Sequence, residues 1–341
     1  MKFEKKVLAD IDKCYATLGT VINGKPWLFY AGEGNGSLQA FHGENFGLRT
    51  DIWSGGGGTM SISDIRGREG WLFVSRGFYS MVDCKDSSIE IVRFANGEFT
   101  HEPVAHIEYL HRFGVIYAPD GERYIIAASL HGYKKDKEDW SHPGSVYFAK
   151  LPRDLNASFT LDMAKLPGDY YVNHGFCVSE AGDRAYISCN EGVFEFVPPQ
   201  SGSDWTINKL IDAPISDIAV LDIDLDGDDE IAAIMPFHGN RYVVFKKDGQ
   251  EYREVYSYPV ENDFYHTVTG ATLAGRRVFI GGARKLAADL FALYLQDGGF
   301  VAQRIDEGCG PSNAAALNAN GTDYILAANR QISQAAVYIC K

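Results

Sequence analysis

Three histidines, His111, His174 and His266, share one position in a repeating pattern. Each stands eight to ten residues before a glycine in a polar turn, at Gly121, Gly182 and Gly275. Asp217 stands at the same offset before Gly227, and Tyr15, Thr59 and Asn313 occupy it before Gly24, Gly67 and Gly321. Taken singly, a histidine is more often a structural residue than a ligand. Three of nine histidines at equivalent positions are a different matter. Imidazoles brought together in this way, with Asp217 as a fourth ligand, suit a divalent transition metal such as Mn²⁺, Fe²⁺, Zn²⁺ or Ni²⁺. A second set follows each glycine at about nine residues: Glu33, Arg76, His131, Asn190, His238, Arg284 and Arg330. All seven are polar, at the ends of otherwise apolar runs. The arginines could brace neighbouring elements; grouped in an acidic chain, they also suit a carboxylate or a developing oxyanion.

The glycines are the ruler. Gly24, Gly67, Gly121, Gly182, Gly227, Gly275 and Gly321 are spaced by 43, 54, 61, 45, 48 and 46 residues. Short apolar or alternating runs flank each of them, as in Gly175–Ser179 and Arg184–Ser188, and helical periodicity is almost absent. This period and strand content predict an all-β chain, a β-propeller of seven four-stranded blades. The last blade lacks an outer strand after Ile339, and residues 4–9 are predicted to supply it, closing the ring within one domain over 1–341. Six or eight blades are the nearest alternative architectures.

In such a blade the start of the innermost strand and the end of the second lie on the same face. Both polar sets are therefore expected at one mouth of the central channel, with His111, His174, His266 and Asp217 holding the metal and Arg76, His238, Arg284 and Arg330 meeting substrate. The long loop 131–144 leaves the same face and is expected to act as a lid. On it, Trp140 could stack on a sugar ring and His142 could move a proton; His131 and Tyr265 are further acid–base candidates. The loop's charges have a simpler reading as solvated surface. The run Gly55–Gly58 is expected to be a flexible segment that leaves room for ligand. His42, His101 and His106 fall off both rings.

A different motif occupies the turn of the fifth blade. Asp222, Asp224, Asp226 and Glu230 bracket Gly227 with oxygen ligands at positions 1, 3, 5 and 9, a pattern suited to Ca²⁺. Such a loop joins first and second strands, at the end of the blade opposite the histidines. A structural role, tightening the turn, is the expectation.

Composition narrows the function. The chain of 341 residues carries a net charge of −13, which argues against nucleic-acid partners. No stretch reaches the ~20 apolar residues of a membrane helix, and the N-terminal segment has no apolar core of a signal peptide, so a cytoplasmic location is expected. The six cysteines have no metal-ligand spacing and read as reduced core residues. Serine-hydrolase, zincin, Walker and dinucleotide motifs are missing.

With the aspartate loop, the glycine turns, His266-Thr-Val-Thr-Gly270 and Gly310-Pro-Ser-Asn313 in view, the chain resembles the FG-GAP/VCBS propellers over nearly its full length. Within that group the histidine-bearing channel resembles aldos-2-ulose dehydratase/isomerase propellers, and in plan it is similar to oligogalacturonate lyase. The resemblance implies metal-assisted proton abstraction beside a carbonyl of a keto-sugar or uronate, followed by elimination or isomerisation. The expected function is thus a carbohydrate lyase, dehydratase or isomerase. The rival is a non-catalytic propeller that binds a glycan or a protein.

Overall fold

The computed structural model describes residues 1–200 and 203–341. They form seven four-stranded antiparallel sheets, arranged as the blades of a β-propeller, as the glycine spacing predicts. Blades 1 to 6 are each a continuous stretch of chain, beginning at Cys14, Ile62, Leu110, Gly175, Asp217 and Asn262. Blade 7 is composite. Its strands Asn313–Ala319, Thr322–Asn329 and Gln334–Cys340 are completed by Phe3–Asp10, which pairs antiparallel from Phe3↔Cys340 to Asp10↔Gln334. Blade 7 thus reaches the same four strands as the others, with Phe3–Asp10 as its outer edge. Lys5 carries the closure outward to blade 6 through a 2.7 Å ion pair with Asp306.

The burial pattern follows from the stacking of blades around an axis. Second strands such as Ala185–Cys189 and Glu230–Met235 are buried almost throughout, because both faces meet a neighbouring blade. They are accordingly near-continuous in Ile, Ala, Val and Tyr. Outer strands such as Thr206–Ile211 and Glu251–Ser257 alternate, with one face in water. The seven turn glycines all take positive φ, from 70° at Gly24 to 98° at Gly227. Most have open space where a Cβ would sit, so backbone conformation, and not crowding, is what requires glycine there.

The Gly55–Gly58 run is packed, contrary to the expectation of a flexible gap. Gly57 donates to the Gly36 carbonyl, and a Cβ there would meet that oxygen at 2.4 Å. A Cβ on Gly58 would lie 2.6 Å from the Phe78 backbone. The run seals blade 1 against blade 2 at close backbone contact.

Candidate functional site at one mouth of the channel

Three side chains of the inner ring owe their direction to β-bulges. In blade 1 the pairing passes from Cys14↔Gly32 to Ala16↔Ala31, which leaves Tyr15 as the extra residue. His111 is skipped in the same way between Leu110 and Arg112, and His266 between Tyr265 and Thr267. A bulge re-aims one side chain without disturbing the rest of the strand. His174 lies just before its strand, held by its amide on the Ser188 carbonyl. All three histidines are buried, as is Tyr15.

Each imidazole is oriented by the next blade. His111 Nδ1 lies 3.2 Å from the His174 carbonyl, His174 Nδ1 3.2 Å from the Ser216 carbonyl, and His266 Nδ1 2.6 Å from the Ser312 carbonyl. A carbonyl can only accept, so each Nδ1 carries the proton and each Nε2 is left with a lone pair. Those Nε2 atoms turn toward one another. The Tyr15 hydroxyl lies 3.4 Å from both His111 Nε2 and His266 Nε2. His238 Nε2 lies 3.3 Å from His174 Nε2. One nitrogen each of His174, His238 and His266 falls within 4.8 Å of the other two, a spacing fit for a metal ion. A buried acceptor without a partner costs ~1–3 kcal/mol, so several lone pairs gathered in one place favour an electrophile or a cation among them. Burial and the surrounding positive charges hold the pKa of His111, His174 and His266 well below that of a free histidine, and that of His238 at about 3.

The nitrogen triad differs from the sequence expectation at two positions. His238 joins it from the outer ring, and His111 does not. His111 packs beside it, its ring centroid 4.6 Å from that of His174. Asp217 is not among the grouped ligand atoms either. Its carboxylate sits on the Nδ1 side of His174, at 3.7 Å, and 3.6 Å from Arg112. Burial pushes its pKa up to about 6, against the pull of Arg112. Asp217 thus steadies His174 from behind.

Arg112, unremarked in the sequence, sits beside the inner ring. It donates to the Met60 carbonyl at 3.0 Å and to Asn313 Oδ1 at 3.1 Å, and its guanidinium lies 5.5 Å from the Tyr15 ring centroid. Above it opens a cavity of about 450 Å³ lined by Tyr15, His111, His174, His238, His266 and Arg284, among others. A second cavity, of about 530 Å³, carries Arg112 and Asp217 in its wall together with Thr269 and Asn318.

The outer ring divides. His238, Arg284, Arg330 and Glu33 line the upper cavity. Arg330 is engaged by Glu33 through both carboxylate oxygens. Arg284 donates to the amide oxygen of Gln331, at 3.0 and 3.2 Å, and burial together with Arg330 lowers its pKa to about 10. Arg76 is turned away: it donates to the Gly56 carbonyl and lies over the Trp53 ring, held by the packed glycine segment. His131 donates to the Met81 carbonyl at 2.8 Å and lines a separate cavity of about 230 Å³.

Three acid–base or stacking candidates are displaced as well. Tyr265 is fully buried in the core of blades 5 and 6, beside Tyr242, Tyr258 and Asn262. Phe264, two residues before His266 and on the same side of the strand, lines the cavity in its place. His142 is exposed, edge-on to Tyr133 and away from the cavity lining. Trp140 does not reach the cavity; it packs edge-on to Phe237 and carries Lys134 over its face at 3.4 Å. The loop is folded on itself, not merely solvated: Asp136 and Asp139 accept amide protons from within it, and Lys137 reaches the cavity wall.

Far from the channel, the aspartate loop carries an internal cation. Lys246 Nζ donates to Asp224, to Asp226 at 2.7 Å and to Glu230 at 3.0 Å. Asp222 accepts the amides of Asp226 and Gly227, both at 3.1 Å. The carboxylates of Asp222, Asp224 and Asp226 are close enough to share one ion, and Lys246 competes for that place.

Among the residues that sequence reasoning missed, Arg112 and Phe264 had a signal. Each adjoins or lies two positions from a ring histidine. Phe78 and Phe237 came from loops with none.

No protein-family model matches the chain, and no curated protein does. Among solved structures, a candidate 6-phosphogluconolactonase from Bacteroides fragilis is similar over 88% of this chain and 85% of its own, at 12% identity and a TM-score of 0.57. An ancestral GH74 enzyme is similar over 97% of this chain, at 12% identity and a TM-score of 0.63, and the chain spans about half of it, 48%. At that identity the likeness is one of fold: the chain shares the β-propeller architecture with both.

Proposed function

We propose that the protein is a metal-dependent carbohydrate lyase, dehydratase or isomerase that removes a proton beside the carbonyl of a keto-sugar or uronate. The observation that supports this most is the set of Nδ1 contacts, which leaves the Nε2 lone pairs of His111, His174 and His266 at one shared cavity. His174, His238 and His266 would hold a divalent transition metal such as Mn²⁺, Fe²⁺, Zn²⁺ or Ni²⁺. Such an ion, when bound, supplies Lewis acidity toward a carbonyl oxygen.

The remaining roles fall to the chain itself. Arg284, a half-buried cation whose hydrogen bonds go to the Gln331 amide oxygen, binds the substrate's carboxylate or a developing oxyanion. His111 Nε2, with its lone pair beside the Tyr15 hydroxyl, takes the α-proton. The Tyr15 hydroxyl returns a proton, and the positive charge of Arg112 stabilises the phenolate left behind until His111 hands its proton on. The Ser216 carbonyl keeps His174 in one tautomer. Loss of a β-leaving group gives an unsaturated sugar; reprotonation gives an isomer. The same fold serves a candidate 6-phosphogluconolactonase, whose name denotes a sugar-acid lactone, and this agrees with a carbohydrate substrate.

Metal analysis of the purified protein, followed by incubation with keto-glycosides and uronates, tests the proposal. About one transition-metal ion per chain and a new conjugated-enone absorbance are expected. Calcium alone, with no change in any carbonyl sugar, would sink it in favour of a binding propeller.

A further inference from the structure

The upper cavity is poor in groups that recognise sugar hydroxyls. Among its lining residues, Ser80 is the only uncharged polar side chain besides the Tyr15 and Tyr79 hydroxyls and the imidazoles, and its one carboxylate, Glu33, is taken by Arg330. Phe78, Tyr79, Met81, Phe237 and Phe264 supply a broad apolar surface instead. A sugar alone does not need so much.

Part of that surface is a built stack. Phe237 lies parallel to His238 at 3.9 Å between ring centroids and 26°, and His238 lies parallel to Phe264 at 4.3 Å and 27°. The Arg284 guanidinium caps Phe264 at 4.5 Å, and Trp140 braces Phe237 from its edge at 5.2 Å. His238 and Phe264 both hold positive φ, 46° and 59°. At the rim Tyr79 is 43% exposed, though aromatic. The cavity's charges are Lys13, Lys137, Arg284 and the paired Arg330 and Glu33, so its free charge is positive.

We propose that the substrate is an aryl glycoside. The planar aglycone lies against the apolar lining of Phe78, Tyr79, Met81, Phe237 and Phe264, and the sugar reaches the histidines. The sugar half rests on the lyase reading above; the aromatic wall stands without it. In the step itself, the proton α to the sugar carbonyl passes to His111 Nε2 and a carbon–carbon double bond forms. The bond from the β-carbon to the aryl oxygen breaks with its electron pair. The aryloxide takes up a proton and leaves as a phenol, so no oxidant or reductant is consumed. Aryloxides leave far more readily than alkoxides, and the cations at the cavity wall stabilise the charge as it develops.

The test is equilibrium binding, which needs no turnover. Affinities of 4-nitrophenyl β-D-glucuronide and methyl β-D-glucuronide are measured by calorimetry for the whole protein and for Phe237→Ala and Phe264→Leu. The aryl ligand should bind about tenfold more tightly or better, as expected for one stacked ring. Either substitution should reduce that preference to within a factor of about two, and circular dichroism should show both variants folded. Equal affinities, or a preference that survives in both folded variants, overturn the proposal. Aryl preference without any enone product from keto-sugars would remove the lyase reading and leave the aromatic site. Enone production without aryl preference would do the reverse.

Discussion

His111 and His238 exchange the places that the repeat assigns them, and substitution separates their roles. His174→Ala and His266→Ala should each strip the transition metal, read as metal per chain after dialysis, whereas His111→Ala should retain it and lose about 10²- to 10⁴-fold in kcat, the usual worth of a positioned base. Arg284→Ala should lower kcat/KM by about 10- to 150-fold, since a hydrogen bond to a charged group contributes ~1.5–3 kcal/mol. Arg330→Ala should affect stability more than binding, because its guanidinium is spent on Glu33. The buried imidazoles also set a pH dependence. The pKa values of His111, His174, His238 and His266 are all depressed in the fold. Below about pH 6.5 the unfolded chain therefore takes up protons that the folded one refuses. Stability of the metal-free protein should fall as pH drops from 8 to 5, by up to ~1.4 kcal/mol per pH unit for each such histidine; urea unfolding at the two pH values shows it.

Two elements decide where side chains point. The bulges at Tyr15, His111 and His266 set those residues apart from the regular ladder of their strands. Alternation counted from His266 puts Phe264 on its side and Tyr265 on the opposite one, and the two lie accordingly, in the cavity and in the core; nearness in sequence to His266 was the only ground for Tyr265. Arg76 was misplaced for a different reason: the packed glycines from 55 to 58 offer it a carbonyl and hold it on Trp53. The aspartate loop shows how a strand completes a turn. Lys246, on the third strand of blade 5, supplies the positive charge that the loop's carboxylates require. Lys246→Met should lower the melting temperature of the calcium-free protein by several degrees, and millimolar Ca²⁺ should restore it, while the unaltered protein responds less. The same calorimetric scan with and without chelator reads both.

At the scale of the whole molecule, closure is the vulnerable feature. Without residues 1–10, Gln334–Cys340 becomes an exposed edge, and blade 7 loses its tie to Asp306. The shortened chain should melt on the order of 10 °C lower, or aggregate, by scanning calorimetry and light scattering. Among the described residues no helix is long and apolar enough to cross a membrane.

The amino-acid sequence by itself determined the architecture, because a turn glycine in left-handed conformation recurs once per blade and strand burial writes itself into residue type. It also pointed to the part of each ring that meets at one cavity, Tyr15, His111, His174 and His266 with Glu33, His238, Arg284 and Arg330, since the repeat converts a sequence offset into a position about the axis; Arg76 and His131 fall outside it. What it could not determine is direction. Which histidines share a nitrogen cluster depends on bulges, on carbonyls from the neighbouring blade and on a strained loop at His238, all set by contacts between residues far apart in the chain. The same holds for Arg112, Arg284 and the aromatic stack, whose partners come from other blades. Only the tertiary structure decided how those side chains meet.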